Sequence, residues 1–324
     1  MIAQLDVRQR VGAFFFSESS DQWLTILRIG LGLQIVSYSL SLRADWSALF
    51  AEKSNAFVSR GLTEAILDIE NPWTPRIGWL VSFAQWFGLP EQGALSILWA
   101  LLFASGACLL IGLFSRSAAV LGWLLHLSAA KSADFAAYGV DNLMTIGLFY
   151  LAVAPLPDSR ALDAKLRMRA QPAAARLGFH RRVLQLHLCV IYFFSGLTKT
   201  IGAGWWNGTS IWRALTRAPF NVLPVELIAS WKWALPLAGV AVCIIESGYA
   251  IFIWPRKTRL VWLASAIMMH VAIGLTMGLR LFSLVMVVLN LAAFAPELSP
   301  TTLRRSLSQG MILRYIRGRR AGAK

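Results

Sequence analysis

The stretch VIYFFSGLTKTIGAGWWNG, residues 190–208, decides how the chain is read. Its first half is an apolar run of the kind that fills a membrane helix. It then meets Lys199, which has no acidic residue close by in sequence, and passes into a glycine-loosened Trp205–Trp206 pair. Long basic side chains and tryptophan rings settle where a span reaches the headgroup level. The stretch therefore reads as one membrane span arriving at an interface.

The remaining sequence follows the same pattern. Of 324 residues, 57% are hydrophobic and 15% charged, against about 25% charged in an ordinary soluble domain. Several apolar runs approach the roughly 20 residues that cross a bilayer. The expected fold is all-α: a polytopic integral membrane helix bundle of about eight transmembrane helices. The spans fall at 24–42, 95–113, 117–131, 139–157, 183–202, 234–254, 260–279 and 281–296. A segment 1–23 precedes the membrane domain 24–296, and a basic tail 297–324 follows it. Lys and Arg in the connections between these spans favour one side by about two to one, which places both termini in the cytoplasm. A bacterial inner membrane is the expected setting.

The net charge of +15 then belongs to inner loops and a tail beside anionic lipid, and nucleic acid is not an expected partner. The tail RRSLSQGMILRYIRGRR, 304–320, alternates basic and apolar residues and is expected to lie on the inner leaflet. Cys108, Cys189 and Cys243 all sit in apolar runs and behave as small buried hydrophobes. No cleavable signal peptide is evident. The long outer loops, 43–94 and 203–233, exceed the usual length of structureless connections. Within the first, RIGWLVSFAQWFGLP, 76–90, spaces Trp79, Phe83 and Trp86 as an interfacial or re-entrant helix would.

Ionisable residues inside spans are costly and are functional candidates by default. Arg28 lies one turn into the first span and can snorkel to headgroups. Asp141 opens the fourth span, either as a helix-N-terminal carboxylate or as a counter-ion to Lys199. Glu246 and His270 sit about 18 Å and about 14 Å below the outer ends of consecutive helices. At that shared depth the two form a plausible pair, either functional or a structural link between helices. His126, His187 and His270 lie on three spans without any i, i+3 or i, i+4 spacing, so no metal or haem is expected. Tyr192, Ser195, Gly196 and Lys199 share one helical face, and Gly196 permits close approach of a helix or a flat ligand.

The run YFFSGLTK, 192–199, followed by Trp205, Trp206 and Gly208, resembles the vitamin K-dependent gamma-carboxylase family and its bacterial relatives, the horizontally transferred transmembrane (HTTM) domain proteins. HVAIGLTMGLRLFSLVM, 270–286, with Phe282–Ser283 twelve residues after His270, is similar to a second family block. The carboxylate of CIIESGYAIFIW falls where the family has an acidic residue. The resemblance implies Lys199 as a catalytic base acting on a quinol, with Glu246 and His270 beside it. It implies a quinone- or substrate-binding wall from Tyr192, Ser195, Gly196, Trp205, Trp206, Gly208, Asp141, Phe282 and Ser283. A base must be an uncharged amine, which apolar surroundings favour. The expected pocket lies between spans five and seven under the outer loops. The substrate is expected to be a secreted peptide or small molecule at the outer face. The other reading is a non-catalytic maturation or assembly factor for a secreted partner. A transporter would show broken helices in two related halves, and no such repeat is present.

Overall fold

The structure, a computed structural model, describes residues 6–52, 58–166 and 173–298. Among these residues there is no strand. The helices are α1 (Val7–Phe15), α2 (Gln22–Ser41), α3 (Trp46–Phe50), α4 (Arg60–Glu70), α5 (Ile77–Trp86), α6 (Glu91–Ile111), α7 (Ser115–Ser132) and α8 (Gly139–Val153). They continue as α9 (Leu162–Lys165), α10 (Ala174–Ile201), α11 (Ala203–Trp206), α12 (Thr209–Thr216), α13 (Val225–Ser230), α14 (Ala234–Phe252), α15 (Arg256–Thr276) and α16 (Arg280–Phe294).

Each expected apolar segment falls on one helix: α2, α6, α7, α8, α10, α14, α15 and α16. Boundaries move by a few residues, except that α10 begins at Ala174 and carries its helix well beyond the apolar run. Five of the eight, α2, α6, α10, α14 and α15, are long and apolar enough to cross a membrane. Helices α8 and α16 are apolar but shorter, at 15 residues each. The expected lipid-facing tail, 304–320, lies outside the described residues.

Local chemistry sets the ends. Gly112 adopts φ 76°, a left-handed turn that closes α6 and that glycine enters without a Cβ penalty. The carboxylate of Asp163 on the short helix α9 accepts from the N–H groups of Phe114 and Ser115 at 2.8 and 2.7 Å, capping α7. Pro90, Pro224 and Pro255 stand immediately before α6, α13 and α15, where a missing N–H costs nothing.

The bundle packs in two groups that share α16. Helices α2, α6, α7 and α8 pack in series, α10 packs on α14, and α16 touches α2, α8, α10 and α15. Polar side chains fasten α16 to both groups. Gln34 on α2 donates to the Leu281 carbonyl at 3.0 Å, and Gln185 on α10 donates to the Ala293 carbonyl at 2.7 Å. Such bonds are favoured between helices that lipid surrounds. Outward positions are apolar, among them Leu33, Ile97, Phe149, Phe194 and Ile244.

Arg28 does not snorkel. It is 1% exposed and its Nε lies 2.5 Å from Asp158, which is itself fully buried. The guanidinium also donates to the Leu109 and Leu110 carbonyls, and Asp158 accepts from Thr25 Oγ1 at 2.7 Å. The α6–α7 connection and the segment after α8 fold over this end of α2, so the short route to water that snorkelling needs is closed.

Outside the bundle, α4 and α5 form a cap. Trp79, Phe83 and Trp86 of α5 are exposed while Ile77 and Val81 are buried, the two-faced pattern expected of an interfacial helix. Glu64 of α4 faces Arg60. Burial pushes its carboxyl above the usual range, and the nearby Arg60 and Arg76 charges only partly offset this.

Candidate functional site

Gly196 decides how α10 meets α14. A Cβ built on it would lie 2.4 Å from the backbone nitrogen of Ser247 and 2.8 Å from the carbonyl carbon of Glu246. Only glycine allows this approach, which is the close helix contact that small residues provide in membranes. The contact carries Lys199, one turn further along α10, onto Glu246.

Lys199 Nζ donates to Glu246 Oε2 at 2.6 Å and to Ser195 Oγ at 2.6 Å. Its charge also stands 5.3 Å from the centre of the Trp205 ring, within cation–π range. The two side chains are 20% and 8% exposed. The lysine that nothing local neutralises is thus neutralised by a carboxylate 47 positions later. Lys199, Glu246, Ser195, Gly196 and Trp205 come together as one cluster.

The Glu246–His270 pair does not form. His270 Nε2 lies 2.7 Å from the Tyr192 hydroxyl, and its Nδ1 has no partner. Equal depth does not suffice, because azimuth governs contact: Glu246 looks toward α10, while His270 on α15 reaches Tyr192 two turns below Lys199. Asp141 is not the counter-ion of Lys199 either. Its carboxylate accepts from the Tyr138 N–H at 3.0 Å, forming the capping box of α8.

A second cluster therefore lies beneath the first along the same α10–α14 seam. Tyr192 and Tyr249 stack with ring centres 4.0 Å apart. Asn290 of α16 donates to the Tyr192 hydroxyl at 2.9 Å and to the Met286 carbonyl at 2.8 Å, and accepts from the Tyr249 hydroxyl at 2.6 Å. Phe282 sets its ring against His270, with centres 5.6 Å apart. Ser283 packs against Gly274, one turn beyond His270 on the neighbouring helix. Tyr249 and Asn290 escape the reading of the sequence. Neutral polar residues within apolar runs are the signal that points to them.

The turn beyond Lys199 is fixed to α14. Gly208 adopts φ 82°, and a Cβ there would lie 2.7 Å from Pro236 N; a Cβ on Gly239 would lie 2.0 Å from the Trp205 carbonyl. Trp206 is half exposed and donates to the Thr200 carbonyl. The cavity at this end, about 490 Å³, lies between α12, α14 and α15, lined by Ala238, Val242, Met269 and Ile273 among others. Lys199, Tyr192 and Ser195 are not on its wall, so this space belongs to spans six and seven rather than five and seven.

The other histidines stay apart. His126 Nε2 pairs with the Asp141 carbonyl and His187 Nδ1 with the Tyr150 hydroxyl. Among the described residues no group of three His, Cys, Asp or Glu side chains is placed to hold a metal.

A family model, the HTTM domain, matches residues 63–297. No curated protein and no solved structure matches the chain.

Proposed function

The chain belongs to the HTTM domain family and is an integral, multi-pass membrane protein; from that premise we propose that it is a membrane enzyme using a quinol to modify a secreted peptide or small substrate. The Lys199–Glu246 couple is its acid–base centre. Read as eight crossings with both termini cytoplasmic, the Lys and Arg distribution turns the C-terminal end of α10, and Lys199 with it, toward the outer side.

The observation that carries the reading is a Lys–Glu contact of 2.6 Å with an unsaturated remainder, set inside an apolar bundle. A bound quinol would supply an acidic hydroxyl and reducing equivalents for dioxygen. The residues suit such a group: an ammonium, a carboxylate, a buried imidazole with an unpartnered nitrogen, and flanking aromatic rings.

Drawn as an ion pair, the couple divides the labour differently from a lone lysine. An ammonium has no lone pair, so the proton-accepting atom is Glu246 Oε1, since Oε2 already accepts from Lys199. Lysine has three N–H donors. Two serve Glu246 and Ser195, and the third is free to hold negative charge left by proton removal. In a site of low dielectric, such a fixed cation stabilises developing charge far more than it would in water.

The test is oxygen uptake driven by reduced menadione, with the protein in nanodiscs. Glu246→Gln should lose the activity by about 100-fold or more. Lys199→Arg keeps a cation that never deprotonates and should retain a fraction of it. Collapse of Lys199→Arg with a tolerant Glu246→Gln would return the base role to the lysine. Two tolerant variants would end the catalytic reading.

The exposed rings of the α4–α5 cap favour a second reading, a non-catalytic maturation factor that holds a secreted partner there. A stoichiometric partner with no extractable quinone in the purified protein would support it.

A further inference from the structure

His270 is 3% exposed, yet one of its ring nitrogens has no hydrogen-bond partner. Unpaired buried polar atoms are uncommon and call for an explanation. The surrounding bonds determine which kind of atom it is.

Asn290 provides the starting point. The Met286 carbonyl can only accept, so the Asn290 nitrogen must face it, and the amide cannot be flipped. The other amide proton goes to the Tyr192 oxygen, and Asn290 Oδ1 accepts from Tyr249. Both amide protons of Asn290 are then used. The Tyr192 hydroxyl proton has one acceptor left, His270 Nε2 at 2.7 Å. If Nε2 carried the proton instead, Tyr192 would receive two donors and its own proton would have no acceptor, while Nδ1 would remain bare. The first arrangement leaves one orphan and the second leaves two. The neutral imidazole therefore carries its proton on Nδ1.

His126 makes the contrast. Its Nε2 faces the Asp141 carbonyl, which requires the proton on Nε2 and leaves Nδ1 as an unfilled acceptor. Orphaned donors are rarer than under-satisfied acceptors. Of the two buried imidazoles, His270 alone holds out a proton.

We propose that His270 Nδ1–H is a fixed hydrogen-bond donor for an acceptor oxygen of the bound ligand, a quinone or similar carbonyl compound. Asn290, Tyr192 and Tyr249 are the positioning residues that hold its tautomer. The proposal rests on the quinol reading above for the ligand's class, whereas the tautomer stands by itself. It adds a neutral donor on α15 to the ion pair at Lys199–Glu246.

Two measurements test it. With ¹⁵N-labelled histidine in nanodiscs, and His270 assigned by its loss in a variant, Nδ1 should show the protonated type of resonance and Nε2 the unprotonated type. Asn290→Leu should mix the two tautomers. The second is menadione affinity from tryptophan quenching. An asparagine amide stands where Nδ1 stands, and a glutamine amide where Nε2 stands. His270→Asn should stay within about threefold of wild type, and His270→Gln should weaken binding by about tenfold, the worth of one neutral hydrogen bond.

A protonated Nε2 overturns the proposal whatever the function. Menadione binding that leaves the Nδ1 resonance unmoved, or a glutamine variant that binds better than the asparagine variant, overturns the donor role and leaves the acid–base couple standing. Failure of every variant and of wild type to bind menadione removes the quinol reading itself, and the donor role with it.

Discussion

Two buried ion pairs lie at opposite ends of the bundle, and they are built differently. Arg28–Asp158 is closed: both side chains are at most 1% exposed, and each guanidinium nitrogen and each carboxylate oxygen has a partner, among them a threonine hydroxyl and two main-chain carbonyls. Lys199–Glu246 is open: the lysine is 20% exposed, the carboxylate has an oxygen to spare, and a tryptophan ring rather than an acceptor closes one side. A saturated pair has nothing left with which to bind a ligand, so it acts as a staple. An unsaturated one keeps valence for something else. Remaining hydrogen-bond capacity, rather than burial, is what marks Lys199–Glu246 out as the candidate for functional charge in this bundle.

The largest effect should come from the staple. Asp158→Ala leaves the Arg28 guanidinium unpaired in the interior, which costs about 3–5 kcal/mol. Thermal unfolding in detergent should show it, and Arg28→Met/Asp158→Leu should recover some of the loss. Next, Gly196→Ala drives a Cβ against the Ser247 main chain, which cannot yield as a side chain would. Overpacking of about 1–3 kcal/mol is expected, together with loss of oxygen uptake as Lys199 and Glu246 separate. Retained uptake would show that the seam is looser than the contact requires.

Lys199→Met should cost less, about 1–2 kcal/mol, because this pair is less completely enclosed than Arg28–Asp158, its side chains being 20% and 8% exposed. A cost equal to that of Asp158→Ala would erase the distinction between the two pairs.

The smallest effect belongs to the α4–α5 cap. Glu64 has its carboxyl raised by burial, so the folded state holds its proton more tightly than the unfolded chain does. The stability penalty is therefore present at neutral pH and is relieved as pH falls through the raised value. Glu64→Gln should stabilise the protein by a few tenths of a kcal/mol at pH 7, and should flatten the pH dependence in the window just above the ordinary glutamate range.

The helices are legible in the sequence because apolar runs report length directly, and the eight segments fall on eight helices. The cluster on α10 is legible because i, i+3 and i+4 spacing fixes a shared face. Partners across helices are not. Depth alone sets Glu246 beside His270, but rotation about the α14 axis is set by a glycine contact with α10, which no spacing within α14 reveals. Asp158 is hidden differently. It follows the apolar run in a proline-rich segment that reads as loop, and nothing local tells that the loop folds inward to Arg28. The family match begins at Thr63, after α2, although α2 supplies Arg28 and Gln34 to the core.

The two glycine contacts at Gly208 and Gly239 bear on access to the couple. They weld the 202–208 turn to α14, so Trp205 and Glu246 travel as one piece while Lys199 rides on the other helix. Between them runs the α10–α14 seam, closed at Gly196 and, two turns below Lys199, by the Tyr192–Tyr249 stack. A ligand that reached the couple by parting this seam would come from the hydrocarbon side, sorted by how readily it dissolves in the membrane before any polar recognition began.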